Sequence, residues 1–283
     1  GHDLIVCHLS HDHTLAALAR ALSGRRIPIV RCLHSIRSLS SRPLQKLLWS
    51  HADAVISHSE NLVKLLHERF SFPMKRILYL PAEIDLQKFR IPVLDERAVF
   101  RSRSGFSTED FVLGYVARIK PGRRHSDLIT AFAARSRELS HLRLLIVGDG
   151  EILPEIKTLT ENLGVSDRVV FTGFLSDDLP QAYMAMDAYI QAAVGNDASC
   201  RAVLEALACG VPVWAVPDAA ACDICRIFSM DRIKEALGDI YFSKPVCGEV
   251  LRSRVEEIHN GSTSPSLLSG FFETLLKSAK SST

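Results

Sequence analysis

A regular alternation of short apolar runs with longer amphipathic segments is the feature that most constrains the fold of this chain. The short runs are rich in β-branched residues and almost continuously apolar, which is typical of strands buried on both faces. Strands that alternate with helices in this way form parallel sheets covered by helices on both sides. The predicted strands are 4–7, 29–32, 54–57, 77–80, 111–116, 142–147, 169–172, 188–191 and 211–216. The predicted helices in the same region are 14–22, 59–69, 127–139, 153–163 and 201–208.

The length of the chain and one break in the pattern predict two domains. The chain has 283 residues, of which 47% are hydrophobic, enough for two packed cores. Residues 88–109 are charged and irregular, and a new strand–helix series follows them. We therefore expect an N-terminal domain over 1–95, a second domain over 96–262, and a helix over 263–283 that returns toward the first domain.

The end of the second domain is less regular. Residues 230–237, 250–258 and 267–276 are predicted helices, and 240–242 is a predicted short strand. The polar stretch 260–264 predicts a gap before the last helix.

Composition excludes several classes of protein. Lys plus Arg is 34 and Asp plus Glu is 32, and this balance predicts no nucleic-acid partner. No apolar run approaches the ~18 residues of a membrane span, and the N-terminus has no basic leader. We expect a cytoplasmic protein with a peripheral contact at the inner membrane face. The seven cysteines are scattered and indicate reduced thiols, and Cys222 and Cys225 lack the second ligand pair of a zinc site.

The stretch 197–213 carries the most chemistry. It predicts a loop, a helix that begins at about Ser199, and a turn into a buried strand. Asp197 precedes this helix and Glu205 lies inside it, eight positions later. The unpaired N–H groups at the start of a helix form an anion site, beside which two carboxylates could hold polyol hydroxyls. The alternative is that Asp197 only caps the helix and Glu205 is solvated.

This stretch resembles the retaining glycosyltransferases of family 4, which have the GT-B architecture of two Rossmann-like doubly wound parallel-sheet domains. The family carries Glu-x7-Glu followed by Ala-Met-Ala-x-Gly-x-Pro-Val, and the chain departs at the first acid, where Asp197 stands. The resemblance implies that Asp197 holds the donor sugar and Glu205 the nucleotide ribose. It also implies donor binding by the start of the helix, at Ala198, Ser199, Cys200 and Arg201.

Four cations crowd the turn that follows the strand at 111–116. The arginine fork suits phosphate oxygens, although a run of charge is also common in a solvated loop. The family has Val-Gly-Arg-Leu with a lysine five positions after the arginine. Arg118 matches the first cation, and Arg123 stands in the place of the lysine. The resemblance therefore implies that both arginines face the diphosphate.

Two further segments resemble the family. Residues 144–151 match its Val-Gly-Asp-Gly strand end. Residues 168–174 match the strand end beside which the nucleotide base stacks, and the resemblance therefore implies that Gly173 and Phe174 bind the donor. A dinucleotide fingerprint would need a third glycine at position 153, where the chain has Leu153.

The first predicted strand ends in a histidine-rich segment with His8, His11 and His13. Histidine at this density can bind zinc, but the spacing across a strand end does not favour convergence of all three. His8 also resembles the strand-end histidine with which the family approaches donor sugar and acceptor. Arg31, His34 and Arg37 are expected on the acceptor side.

Taken together, the resemblance implies transfer of a sugar from a nucleotide diphosphate sugar to a glycan or lipid-linked acceptor in bacterial cell-surface polysaccharide or lipopolysaccharide assembly. Arg118, Arg123, Asp197 and His8 are the expected catalytic residues. No cofactor and no metal are expected, because the sequence has no Asp-x-Asp motif.

Two alternatives remain. One is a non-catalytic nucleotide-sugar-binding remnant or partner subunit, since 218–223 departs from the family loop and Gly1 is expected to be a truncation point within an incomplete domain. The other is a GT-B enzyme that epimerises or phosphorolyses sugars.

Overall fold

A computed structural model describes residues 2–34, 39, 43–93, 95–193, 197–219, 223–262 and 265–280. Within these residues the strands are β1 (Ile5–Cys7), β2 (Ile29–Leu33), β3 (Ala54–Ser57), β4 (Ile77–Tyr79), β5 (Phe111–Val116), β6 (Leu142–Val147), β7 (Val169–Gly173), β8 (Ala188–Gln191), β9 (Val213–Ala215) and β10 (Arg226–Ile227). The helices are α1 (Ser10–Ser23), α2 (Pro43–Ser50), α3 (Glu60–Phe70), α4 (Glu96–Arg103), α5 (His125–Ser136), α6 (Leu153–Asn162), α7 (Leu179–Ala185), α8 (Asp197–Ala208), α9 (Ile233–Tyr241), α10 (Gly248–Ser262) and α11 (Pro265–Lys280).

The chain divides into two compact units, one of residues 1–83 with 258–283 and one of residues 84–257. Both are α/β units with Rossmann-like parallel sheets, as the alternation of strands and helices predicts. Among the described residues, no helix combines the length and the apolar character that a membrane span requires.

The first unit has a four-stranded parallel sheet in the order β1-β2-β3-β4. The two central strands, β2 and β3, are buried along their whole length, because apolar side chains cover both faces of the sheet. One face carries Val30, Cys32, Ile56 and Leu78 and packs against leucines and phenylalanines of α11. The other face carries the second apolar cluster of this unit, which includes Trp49 of α2.

The second unit has a six-stranded parallel sheet in the order β7-β6-β5-β8-β9-β10. Counted from β5, this is the order 3-2-1-4-5-6 of a dinucleotide-binding fold. The strand order reverses between β5 and β8, and a crevice at such a reversal, beyond the carboxyl ends of the strands, is the usual place for a ligand.

An ion pair ties α4 to the start of β8 in the second unit. Arg101 is buried, pairs with Asp187, and donates to the carbonyl oxygens of Ala185 at 2.9 Å and Asp110 at 3.1 Å. Asp187 also accepts the N–H of Val112 at 2.7 Å, at the start of β5. One carboxylate thus fixes the two central strands and the helix beside them.

Several expected elements were wrong. The predicted strand at 240–242 is the end of α9, because Leu237 and Ile240 are both buried at helical spacing. The predicted gap at 260–264 is helical as far as Ser262, where α10 ends. Within the segment 88–109, which was expected to be irregular, residues Glu96–Arg103 form helix α4, and α8 begins at Asp197 rather than near Ser199.

Some elements had no counterpart in the prediction. They are the short helices α2, α4 and α7 and the two-residue strand β10. Helix α11 runs from Pro265 to Lys280 and is longer than predicted at both ends.

Candidate functional site

A cavity of about 540 Å³ lies at the carboxyl ends of β5, β6 and β7 in the second unit. Three loops that follow these strands form most of its wall, and the beginning of α7 and one face of α8 complete it. Its lining residues are Val116, Ala117, Arg118, Val147, Gly148, Asp149, Gly150, Phe174, Leu175, Leu179, Ala202 and Glu205. A largely apolar cavity with a few converging polar groups is the usual form of a small-molecule site.

Two glycines allow the loops after β5 and β6 to lie against each other. A Cβ on Gly148, which has φ +139°, would lie 2.1 Å from the carbonyl oxygen of Ala117. A Cβ on Gly150 would lie 2.1 Å from the carbonyl oxygen of Ile119. The N–H of Ile119 donates to the carbonyl of Asp149 at 2.9 Å, so the two loops are joined by backbone hydrogen bonds.

The loop after β7 is joined to the same structure. The N–H of Gly148 donates to the carbonyl of Gly173 at 2.9 Å, and Gly173 has φ +73°. The next residue, Phe174, lines the cavity and is 78% exposed. An aromatic ring that a globular protein leaves open to solvent at the mouth of a cavity is well placed to stack on a flat ligand.

Glu205 is a buried acid in the wall of the cavity. It is only 7% exposed, and the Tyr183 hydroxyl donates to its Oε2 at 3.1 Å. Burial raises the pKa of the Glu205 carboxyl above its usual value, while the Tyr183 hydrogen bond and the charge of Arg201 lower it in part. The alternative that Glu205 is a solvated residue of the helix is therefore wrong.

Tyr183 was missed by the sequence analysis because α7 was not predicted. It is fully buried, and burial together with the Glu205 charge raises its pKa well above the usual value. A buried tyrosine hydroxyl normally requires a hydrogen-bond partner, but the burial of Tyr183 is visible only in the structure. Leu175 and Leu179, the apolar part of the wall near Phe174, were also missed.

The two arginines of the loop after β5 lie in different surroundings. Arg118 is exposed and lines the cavity. Arg123 is half-buried, and among the described residues it is not part of the lining. Its backbone carbonyl accepts the hydroxyl of Tyr115 at 2.6 Å, which fixes the turn that leads into α5.

His125 begins α5 directly after this turn. It is buried against the Tyr115 ring, with 4.9 Å between ring centroids. Burial, with a smaller contribution from the charge of Arg123, lowers the pKa of His125 to about 4. The histidine is therefore neutral at physiological pH and supplies no charge to the turn.

The start of α8 differs from the expectation. Asp197 is the first residue of the helix rather than a residue that precedes it. The side chains of Asp197, Ala198, Ser199 and Cys200 lie outside the described residues. Arg201 is exposed, and Ala202 lines the cavity one turn before Glu205.

In the first unit, His8 follows β1 and contacts His34. The distance from Nδ1 of His8 to Nε2 of His34 is 3.2 Å, and the two rings stack. His11 and His13 lie in the first turn of α1 and not with His8. His13 is buried, which lowers its pKa to about 4. Among the described residues, the one cluster whose atoms could hold a metal is His8, Cys32 and His34.

Arg31 lies in the interior of the first unit, where it makes structural contacts. It is buried, donates to the carbonyl of Leu9 and to Oγ of Ser10, and lies over the Trp49 ring. These contacts hold the start of α1, so the expectation that Arg31 lines an acceptor site is wrong. Arg37 lies outside the described residues.

The cysteines of the described residues form no disulfide. None of Cys7, Cys32, Cys209, Cys225 and Cys247 is in a disulfide, and of these five only Cys247 is exposed. Cys222 lies outside the described residues, so the pair of Cys222 and Cys225 has no described geometry.

Two family models match this chain. The model described as Glycosyltransferase Family 4 matches residues 1–88, and the model described as Glycosyl transferases group 1 matches residues 96–227. The chain is therefore built from glycosyltransferase domains of family 4 and group 1. The second match contains the cavity and both loops that its glycines join.

Curated proteins similar to this chain include bacterial enzymes. The chain is 30% identical over 74% of its length to N-acetyl-alpha-D-glucosaminyl L-malate synthase of Bacillus anthracis, of which it covers 55%. It is 27% identical over 75% of its length to N-acetylgalactosamine-N,N'-diacetylbacillosaminyl-diphospho-undecaprenol 4-alpha-N-acetylgalactosaminyltransferase of Campylobacter jejuni, of which it covers 57%. The chain thus spans about half the length of the curated relatives it matches.

The fold also matches solved GT-B structures. The crystal structure of Anabaena HepE in complex with UDP and glucose superimposes with a TM-score of 0.74 at 19% identity. The match covers 97% of this chain and 77% of the HepE chain. At this identity the comparison shows the shared GT-B fold.

Proposed function

We propose that the chain transfers a sugar from a nucleotide diphosphate sugar to a glycan or lipid-linked acceptor, with retention at the anomeric carbon. The observation that carries the proposal is the cavity at the carboxyl ends of β5, β6 and β7. There an arginine, a buried carboxylate and an exposed aromatic ring line one volume of about 540 Å³. These three groups match the diphosphate, the ribose and the base of a nucleotide.

Glu205 is the proposed ribose ligand. Its carboxylate oxygens accept hydroxyl hydrogens, and its burial makes each such bond stronger than in water. The Tyr183 hydroxyl already holds Oε2, which fixes the carboxylate and leaves Oε1 for the ligand. Phe174 is the proposed platform for the base, with Gly173 at the turn that presents it.

Arg118 and Arg123 are the proposed cations for the diphosphate. Arg118 already lines the cavity, and Arg123 is held five residues later in the same turn. Asp197 is the proposed ligand of the donor-sugar hydroxyls, and the backbone N–H groups of Ala198, Ser199, Cys200 and Arg201 add the positive end of α8. From the first unit, His8 is the proposed histidine that assists transfer.

In the proposed reaction, the bond between the anomeric carbon and the leaving phosphate oxygen breaks. The acceptor oxygen forms the new bond on the same face, and its proton passes to the leaving phosphate. Negative charge grows on the diphosphate during this step, so arginines at that position lower the barrier. The arginines supply the charge that a metal would otherwise provide.

The names of relatives support the proposed acceptor and pathway. The Campylobacter enzyme is named for a diphospho-undecaprenol acceptor, which motivates a lipid-linked acceptor at the inner membrane face for this chain. We extend the proposal to bacterial cell-surface polysaccharide or lipopolysaccharide assembly. The complex of HepE with UDP and glucose makes UDP-glucose the first donor to examine.

The proposal is tested by binding and by product analysis. Thermal-shift measurements with UDP, GDP, ADP and their sugars should find one nucleotide that stabilises the chain, by about 2.7 kcal/mol at 100 times its dissociation constant. Glu205→Ala should abolish that shift. Arg118→Ala should raise the activation barrier by about 2.7–4 kcal/mol and slow turnover accordingly. Lys120→Ala, in the same loop but outside the lining, is the matched control.

Phe174 offers a separate test of base stacking. Phe174→Ala should weaken nucleotide binding by about 1–3 kcal/mol and leave the melting temperature of the free chain unchanged, since the ring is exposed. Phe242→Ala removes a similarly exposed ring outside the cavity. This control should change neither the nucleotide affinity nor the melting temperature. Equal nucleotide affinity in the two variants would contradict the stacking role.

Product analysis separates the other outcomes. Sugar on an acceptor supports transfer, whereas a rearranged nucleotide sugar would identify an epimerase. Binding without turnover would identify a nucleotide-sugar-binding subunit. No stabilisation by any nucleotide would reject the site assignment itself.

A further inference from the structure

The register of the first sheet brings chemistry-bearing side chains together at its carboxyl edge. β1 and β2 are parallel, with Cys7 beside Arg31, so the next step of the register places His8 beside Cys32. Cys32 and His34 are two residues apart and therefore on the same side of the extended chain. Three side chains with metal-ligand atoms thus lie side by side.

The distances within this cluster are those of a metal site. In a tetrahedral zinc site, bonds of about 2.0–2.3 Å place the ligand atoms roughly 3.3–3.7 Å apart. Nδ1 of His8 and Nε2 of His34 are 3.2 Å apart. All three ligand atoms, including Sγ of Cys32, lie within 4.8 Å of one another. The separation of the two nitrogens is already close to these values, and the limit of 4.8 Å exceeds the upper value by about 1.1 Å.

The surroundings of the cluster suit a thiolate–imidazole site. Cys32 is 5% exposed and belongs to the same apolar cluster as Val30 and Ile56, so water has little access to its side chain. His8 is exposed, which gives an ion a route from solvent. Sulfur and imidazole ligands select zinc and related ions over magnesium and calcium.

A third histidine supports the ring of His34. His58 stacks on it with 6.0 Å between centroids. Nδ1 of His58 lies 2.6 Å from the carbonyl oxygen of Leu80, which fixes its orientation. Neighbours that hold a ligand ring in place are a regular part of metal sites.

The geometry points to a zinc-class divalent ion bound by His8, Cys32 and His34, with a fourth position open to solvent. Binding releases the thiol proton of Cys32 to water, and the ion takes the place of the contact between the two imidazoles. One consequence rests on the proposed function: because His8 is assigned to transfer there, an ion bound to it inhibits the reaction.

The site is tested directly by metal binding to the full chain, freed of metal by a chelator. Cobalt(II) titration should saturate at one equivalent and produce a thiolate-to-cobalt charge-transfer band in the near ultraviolet. Competition of zinc with a chromophoric chelator gives the affinity. Cys32→Ala should abolish the band, and both Cys32→Ala and His34→Gln should weaken zinc binding by at least the roughly 10–100-fold that loss of an outer-shell partner costs.

Matched variants separate this site from the other thiols and histidines. Cys7→Ala removes a buried thiol that packs on the α1 side of the sheet, and His11→Ala removes an exposed histidine of α1. Both should bind cobalt and zinc as the unchanged chain does. Cys225→Ala should also retain the charge-transfer band.

Several results would overturn the inference. Absence of a charge-transfer band in the unchanged chain would leave only a hydrogen bond between the two imidazoles. A band that survives in Cys32→Ala, or disappears in Cys225→Ala, would place the ion elsewhere. The spectrum of the unchanged chain decides whether a thiolate binds the ion, and the variants decide which thiol and which imidazole do so. Nucleotide stabilisation of Cys32→Ala reports the second unit and tests the proposed function separately.

Discussion

Gly150→Ala tests whether the backbone contact between the loops after β5 and β6 builds the cavity. An added Cβ would lie 2.1 Å from the carbonyl oxygen and 2.7 Å from the carbonyl carbon of Ile119. Cβ atoms essentially never approach closer than 3.0 Å, so the carbonyl must retreat by about 0.9 Å. The obstacle is backbone, which cannot rotate away as a long side chain can.

The expected cost of this substitution has two parts. Overpacking of a well-packed region costs about 1–3 kcal/mol. The retreat also weakens the hydrogen bond from the N–H of Ile119 to the carbonyl of Asp149, now 2.9 Å long, at about 0.5–1.5 kcal/mol. We therefore expect a loss of about 2–4 kcal/mol in the free energy of unfolding. Because Arg118 lies between the joined positions, we also expect weaker nucleotide binding.

Urea denaturation measures the first effect, and calorimetric titration with the stabilising nucleotide measures the second. Gly270→Ala is the control, because its Cβ meets nothing within 4 Å and the residue lies inside α11. The free energy of unfolding of this control should increase by about 0.5–1 kcal/mol, because alanine has a higher helix propensity than glycine. If Gly150→Ala unfolds at the same urea concentration as the unchanged chain, the steric reasoning is refuted.

Three further predictions follow from buried polar groups of the second unit. Tyr183→Phe leaves the Glu205 carboxylate without its buried donor, so it should cost about 1–3 kcal/mol in urea denaturation at neutral pH and less in acid, where the carboxyl is protonated. Asp187→Ala leaves the Arg101 charge buried without its partner and should cost about 3–5 kcal/mol, whereas a cost under 1 kcal/mol would show the pair to be solvated. The pKa of His125 is about 4 in the folded chain and returns to about 6.5 on unfolding. Between pH 4 and pH 6.5, unfolding is therefore accompanied by uptake of a proton. The free energy of unfolding should therefore fall as the pH falls from 6.5 to 4, with a smaller slope in His125→Leu.

The sequence predicted the central strands well because their signal is local. β3, β5, β6 and β8 have the predicted bounds, since each is a short apolar run between polar turns. The strand predicted at 240–242 failed because three apolar or aromatic residues in a row fit the end of a buried helix equally well. Only the packing of Ile240 in the core distinguishes the two.

In the candidate site, too, residues within local motifs could be predicted, whereas contacts between distant segments could not. Motif resemblance selected Arg118, Phe174 and Glu205, and the structure places all three in the wall of one cavity. The partner of Glu205 could not be predicted, because Tyr183 meets it across 22 positions and two separate helices. The contact of His8 with His34 likewise depends on the register of β1 and β2, which no single segment of sequence records.

The strand order of the 84–257 unit also bears on how the unit folds. β5, β6 and β7 follow one another in sequence and in the sheet, and their first paired residues are 31 positions apart (Phe111 and Leu142) and 25 positions apart (Leu144 and Val169). β8 pairs with β5, and its first contact joins Leu113 to Ala188, which are 75 positions apart. Closing so long a loop is slow, because its entropy is lost before the contacts form.

The residues that line the cavity come both from the β5–β6–β7 part of the sheet and from the part that follows β8. Arg118 and Phe174 come from the part that pairs early, whereas Glu205 follows β8 and arrives with the late part. We therefore expect refolding chains to show parallel-sheet structure before they bind a nucleotide. Ligand binding should mark the last kinetic phase of folding in this unit.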